Sequence, residues 1–482
     1  MAFRKISINA PFMSNLEDES RKDIAESRMD VIKDTLGSTI RRPCLSVFSS
    51  GFPKAVDGHF YWKSKNLVYG VSDKNLYSMG SDGVVSLVDS DLFEDNKHVS
   101  WTESSDYTLV TPGAIRKLFV TNSGRIVAYD GISTSKLNGA NDPIKSSHIA
   151  MFDSYLLSNE LSLEKYDESI LFSKVADPIT FEGAFFSAEN KADKINALHT
   201  AWNEIMITGF NSIENFYNDK VTPFATIPGS SVESGTLSPW TIKKVEQSYI
   251  YLNSDRRVIR LDGRAPVQIS DQINDLFEGD IDYENAEAEI YSYKGKTLYL
   301  ITINDRTFVY DYFLNEWVGE WGSWNKQTAK YGKFKARNFL NVKPWGKTLC
   351  TDKDSGIVYE INFDVNRDIG EEVRSSVITG NVDHGTGREK RSNELRFKLK
   401  RGNVERTSVD QAEPKMLVRW RDNGSRTFCN YRDVYLGFNG EDEFFYSIFD
   451  LGTYRSRQYE VVCTDDTDFV ISELEEDVTL QR

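Results

Sequence analysis

Cysteine is scarce in this sequence. The four residues Cys44, Cys350, Cys429 and Cys463 are scattered, and no two stand in a CxxC spacing. That excludes a disulfide framework and a cysteine zinc site, and it predicts reduced thiols and synthesis in a host cytoplasm. No apolar run approaches the roughly 18–20 residues of a membrane-spanning helix, and the opening MAFRKISINAPFMSN lacks the apolar core of a secretory signal. Histidine is equally thin. His59, His98, His148, His199 and His384 never fall at i, i+2 or i, i+4, so HExxH and facial-triad spacings are missing. GxSxG and GxGxxG are absent too.

The near-matches to chemical motifs are incomplete. WGKT (345–348) and KGKT (294–297) end like phosphate-binding loops, but Asn341 and Ile290 stand where the first glycine belongs. DKDSGIVY (352–359) and WRDNGSRTF (420–428) half-match the repeated turn of sialidases without its serine and tryptophan, and they read as hairpin turns. CTDDTD (463–468) has no glycine and no closing glutamate for a calcium loop. The sequence therefore predicts no catalytic residues, no metal, no cofactor and no enzyme activity.

Positive charge is in deficit: 58 basic against 73 acidic residues leave a net charge of −15. Such a chain is repelled by phosphate backbones, which excludes tight nucleic-acid readout. A passage through which DNA slides without sticking would want that sign.

What is present is β-structure. TLYLITINDRTFVYDYFLNEWVGEW (297–321) has two runs of bulky residues around the turn Asn304-Asp305, which predicts a hairpin. Comparable units begin near 66, 117, 154, 204, 248 and 348, so there are seven in all. A period of roughly 40–50 residues marks a β-propeller blade. Blades in a ring bury each other's sides and leave only short edges. About 315 residues at about 50 per blade gives roughly six blades. A β-sandwich or a string of small β-domains would also space strands evenly.

Three regions are expected. Residues 1–54 form an N-terminal docking arm, in which Ser14, Glu17, Ile24, Val31, Ile32, Leu36 and Gly37 predict a helix over 14–37. Residues 55–372 form the propeller-like ring, and 373–482 a C-terminal β-sandwich. A charged stretch near 370–375 and the segment 402–414 are the expected points of cleavage between them. In REKRSNELRFKLKR (388–401) seven basic residues face Glu389 and Glu394. Strand alternation puts Arg396, Lys398 and Lys400 on one face, either a solvated surface or a contact for another subunit.

The order of these stretches resembles that of the packaged-DNA stabilisation, or tail hub (nozzle), proteins of short-tailed bacteriophages. The stretches that carry the resemblance are TIRRPCLSVFSSGFP, WNEIMITGFNSIENFY, RRVIRLDGRAPVQIS and LVRWRDNGSRTF to LGTYRSRQYEVV, spread over nearly the whole chain. The resemblance implies a structural virion protein that assembles as a hexameric ring below the portal and its adaptor. Other tail proteins, such as a fibre, spike or needle, would be its partners. It would seal packaged DNA and form part of the ejection channel, with an acidic or neutral lumen. The alternative from another class is a propeller that binds or cleaves glycans, which carboxylates flanked by arginines at the ring's centre would favour. A scaffold propeller of the host cell is a third.

Overall fold

In the computed structural model, residues 3–481 are described except for 14–24, 105–115, 140–143, 162–167, 189–192, 202, 221–222, 278 and 442–444. Among the described residues, seven four-stranded antiparallel blades follow one another, six as separate sheets and the one starting at Glu287 as the end of a nine-stranded sheet. Their first strands are Val56–Trp62, Ser100–Glu103, Ile149–Phe152, Ala197–Ala201, Lys243–Val245, Glu287–Tyr293 and Ala336–Val342. These strands pack side by side around the centre, and that of blade 7 lies against that of blade 1, so the ring closes. The seven hairpins read from the sequence all start at or next to the second strand of a blade. Roughly six blades, from length alone, is one too few. First strands start 44 to 49 residues apart, and the seventh blade takes its outer strand, Cys44–Ser49, from before the ring.

Blade 6 shows why these residues make blades. Lys296–Ile303 and Arg306–Asp311 pair antiparallel around Asn304 (φ 49) and Asp305 (φ 69), both left-handed, as a tight hairpin turn requires. Tyr299 and Ile301 point towards blade 5 and pack near Ile250 and Leu252. Leu298 and Leu300 point towards blade 7, near Cys350 and Tyr359. Both faces are buried, so the strand reads as an almost unbroken apolar run.

The N-terminal region is not a separate helical arm. Residues 14–24 lie outside the described part, and the rest of the expected helix is two short strands, Ser27–Met29 and Val31–Lys33. Tertiary pairing overrides the helical spacing here. Ser27–Met29 fills the gap between Glu316–Trp321 of blade 6 and Ser375–Ile378 of the sandwich, making one nine-stranded sheet. Gly319 permits this docking. Its φ is +140°, and a Cβ there would lie 2.4 Å from the Arg28 carbonyl oxygen. Val31 and Ile32 are both fully buried, one in the sandwich core and the other between blades 6 and 7.

The sandwich pairs the far end of that nine-stranded sheet with a second sheet that contains Val470–Leu480, Lys390–Leu399 and Phe445–Tyr454. Its core includes Ile6, Ile8, Ala25 and Val31 beside Leu395, Phe397, Met416 and Tyr459. The segment expected to link the domains is itself structured, because Arg367–Asp368 pairs with Glu371–Glu372. Residues 373–482 expressed alone should therefore fail to fold, and a cooperative thermal melt from that fragment would contradict this layout. Proteolysis should nick the full chain within 402–414, at its exposed part 405–410, with the two fragments co-eluting on gel filtration.

Candidate functional site: the arginine joint and the closed centre of the ring

Three arginines from the N-terminal strands tie the ring to the sandwich. Arg42 is 1% exposed and spends its donors on the N-terminal strands and on the segments that follow blades 6 and 7. Its Nε donates to Asp30 at 2.6 Å, Nη1 and Nη2 donate to Asp368 at 3.2 and 2.5 Å, and Nη2 also donates to the Gly322 carbonyl at 3.1 Å. Burial alone would lower its pKa, but the Asp30 and Asp368 carboxylates outweigh that and hold it well above the ordinary arginine value. The guanidinium also lies 4.9 Å from the Phe334 ring. Arg28, wholly buried, donates to the carbonyls of Val318 in blade 6 and of Ile8 and Ala10, and to the Thr39 hydroxyl. Arg41 reaches Ser375 and the carbonyls of Asn366 and Asp465. The TIRRPC stretch is thus the joint. Its partners stand up to 426 residues away in sequence, so spacing alone gave no sign of them.

The centre of the ring is closed by aromatic rings. The single turn Pro239–Thr241, between blades 4 and 5, carries Trp240 across it. That turn is anchored by the Tyr299 hydroxyl on the Thr241 carbonyl at 2.9 Å, and by the Ser238 hydroxyl on the Tyr283 carbonyl at 2.9 Å. His98 and His148 stack on Trp240 with centroids 4.7 and 4.5 Å away, and His199 packs against His148 at 6.3 Å. Four of the five histidines thus belong to blades 1 to 4, each in or just before a first strand. Sequence spacing missed them because the grouping follows the blade repeat and not a single strand or helix. Burial pushes His59, His98 and His199 down to about 4, and His148, with His199 and His98 beside it, down to about 3.

Trp240 lines a recess on either side. One, of about 450 Å³, is mostly aromatic and apolar, with Phe60, Trp101 and Tyr249 beside Lys243 and Lys244. The other, of about 580 Å³, is strongly charged. In it Asp57 faces Arg337 at 3.9 Å, and Glu287 faces Lys353 at 3.7 Å. Burial, partly offset by Arg337, pushes the Asp57 carboxyl up to about 6. Nearby, the half-buried Glu289 accepts the backbone N–H groups of Asn338 and Phe339 at 2.7 and 3.0 Å. Carboxylates flanked by an arginine therefore do stand at the centre. No group of three or more histidine, cysteine, aspartate or glutamate side chains among the described residues could hold a metal ion.

The structure puts Arg396, Lys398 and Lys400 on the outward face of Lys390–Leu399 and its end, with Leu395, Phe397 and Leu399 in the core. Each has an acid of its own chain: Arg396 pairs with Glu394 at 3.0 Å, Lys398 with Glu473 at 3.7 Å and Lys400 with Asp468 at 2.6 Å. Arg396 also lies over the Phe3 and Phe445 rings. The face is mixed in charge and partly aromatic, not a bare basic stripe.

Residues 30–366 match the model of the family described as bacteriophage P22 Gp10, β-propeller. No curated protein matches the chain. Among solved structures, the computationally designed Ika8 protein aligns with TM-score 0.35 and 12% identity, over 66% of this chain and 99% of that one. The extracellular domain of the putative hybrid two-component system BT4673 from B. thetaiotaomicron aligns with TM-score 0.41 and 10% identity, over 95% and 64%. Neither of these two alignments bears on what the protein does.

Two outcomes follow from the geometry. Arg42→Met should cost about 3–5 kcal/mol in urea unfolding, because it strands two buried carboxylates. A loss below about 1 kcal/mol, the range of exposed pairs, would show that the joint is not a buried network. Acid should also destabilise the ring. Well above pH 6.5 these four histidines are neutral in both states. Below it the unfolded chain takes up protons that the folded chain refuses until pH about 4, so stability falls across that window. His148, almost wholly buried, contributes a loss of about 1.4 kcal/mol per pH unit. His148→Gln should flatten that part of the profile when unfolding is followed by tryptophan fluorescence.

Proposed function

From the premise that the chain belongs to the bacteriophage P22 Gp10 β-propeller family, we propose that it is the hub, or nozzle, of a short phage tail. Membership makes it a phage structural protein of the virion. The finer reading is that copies assemble as a ring, a hexamer, below the portal and its adaptor. The ring retains packaged DNA, contacts the fibre, spike or needle proteins, and later lines the exit path. The chain is made in the host cytoplasm and has no catalytic role.

The family match over most of the chain carries this reading. The closed centre supports it from a second side. DNA whose major groove alone is about 12 Å wide would need a different path from a hole crossed by Trp240 and two stacked imidazoles. The conduit is then the axis between copies, and each propeller is a rigid building block in its wall. The charge of −15 per chain, repeated around that axis, keeps the lumen from holding phosphate. The Arg396 face, with its aromatic neighbours, suits a contact between subunits, where arginine and aromatic residues are enriched.

Cryo-electron microscopy of the assembled tail should show sixfold density for this chain next to the portal adaptor, with Arg396, Lys398 and Lys400 away from the lumen. Monomeric protein in that complex, or those side chains lining the lumen, would overturn the reading. Replacing all three with glutamate should impair assembly while the monomer stays folded, since exposed ion pairs contribute only about 0–1 kcal/mol each.

A further inference from the structure

We propose that the charged recess at the centre of the ring is a binding site for a neutral saccharide. This is a second activity, independent of how the subunits assemble. The recess has a volume of about 580 Å³, within the ~300–1,000 Å³ typical of ligand sites. Its floor is aromatic, formed by His98 stacked on Trp240. Lys333 and Asp305 pair in its wall at 2.6 Å, but two further pairs of opposite charges approach without bonding. Asp57 and Arg337 stand 3.9 Å apart, and Glu287 and Lys353 3.7 Å apart. Those separations are too long for hydrogen bonds. The Asp57 and Glu287 side chains are 4% and 9% exposed, and Arg337 Nε is buried without a partner among the described residues.

A polyol suits such walls. One hydroxyl can donate to a carboxylate and accept from the facing guanidinium or ammonium, closing a gap that the protein leaves open. The C–H face of a sugar ring meets the electron-rich face of an aromatic floor favourably. Charge selects against competitors. Six carboxylates and four cationic side chains line the recess, and four minus six leaves −2. Phosphates, nucleotides and acidic sugars are therefore repelled, and an uncharged saccharide is not. The aromatic recess beyond Trp240 has Lys243 and Lys244 but no facing carboxylate among its lining residues, and it lacks this pairing.

Saturation-transfer NMR on the full chain tests the proposal with maltose, lactose and N,N′-diacetylchitobiose, and with glucuronate as the anionic counterpart. At least one neutral disaccharide should show saturable transfer with Kd in the ~1–10 mM range, and glucuronate should bind at least fivefold more weakly. Glu287→Gln and Lys353→Met should each weaken the neutral sugar at least fivefold while the chain keeps its wild-type melting profile. Both replacements keep the shape of the wall, and Lys353 is partly exposed, so folding is not at stake in that variant. No saturable transfer from any of the three sugars would overturn the site. So would binding that both variants retain, or glucuronate bound as tightly as the neutral sugars. Assembly is measured separately, so failure here leaves the tail-hub reading untouched and failure of that reading leaves this one standing.

Discussion

A buried arginine between two carboxylates, Arg42 with Asp30 and Asp368, is the constraint on which the molecule is organised. An ion this deep is tolerated only when every donor is used, because the cost of removing it from water is several kcal/mol. The donors go to residues from four parts of the chain: Asp30 of the N-terminal strands, Pro43 just ahead of Cys44–Ser49, Gly322 after blade 6, and Asp368 after blade 7. The charge is satisfied only when the N-terminal strands meet the ends of blades 6 and 7, and the neighbouring Arg41 carries the tie on to Ser375 and Asp465 of the sandwich. Arg28 and Arg41 repeat the device on either side. A single relative placement of ring and sandwich follows from geometry that no partial docking can meet.

The same N-terminal residues also close the ring. Cys44–Ser49 completes blade 7, and the preceding strands complete both sheets of the sandwich. Closure and docking are therefore one event along the chain, read in order from residue 27 to residue 49. For a component of a virion this has a mechanical meaning. A ring whose last blade mixes both ends of its span cannot open at that seam unless a whole strand is peeled away, and the adjacent arginine joint resists that peeling.

The centre of the ring carries a different logic. His98, His148, His199 and Trp240 make a neutral aromatic plug, while one side presents the loosely paired charges Asp57–Arg337 and Glu287–Lys353. The plug removes the propeller's own hole as a passage. On the charged side Asp57 and Arg337, and Glu287 and Lys353, stand within reach of one another but not in hydrogen-bond contact, which is the arrangement of a surface that can recognise something small. Rigid wall and small recess coexist because the wall uses the outside of the blades and the recess uses the inside.

Much of the fold was legible in the chain itself. Alternating bulky residues and left-handed turn pairs such as Asn304-Asp305 determine hairpins locally, and their spacing determines the repeat. The outward placement of Arg396, Lys398 and Lys400 also follows from strand alternation, which is a local property. The tertiary structure alone decided the rest. It turned Val31 and Ile32 from a helical pattern into a strand buried on both faces, because Val31–Lys33 pairs with Thr39–Arg41 where the sandwich core meets blades 6 and 7. It set the count at seven, because the outer strand of the last blade comes from the N-terminal region. It gathered His98, His148 and His199 around Trp240, because first strands about 44–49 residues apart meet only when the ring closes. Local rules act over a few residues, whereas a buried charge or a ring closure is settled by partners hundreds of residues apart.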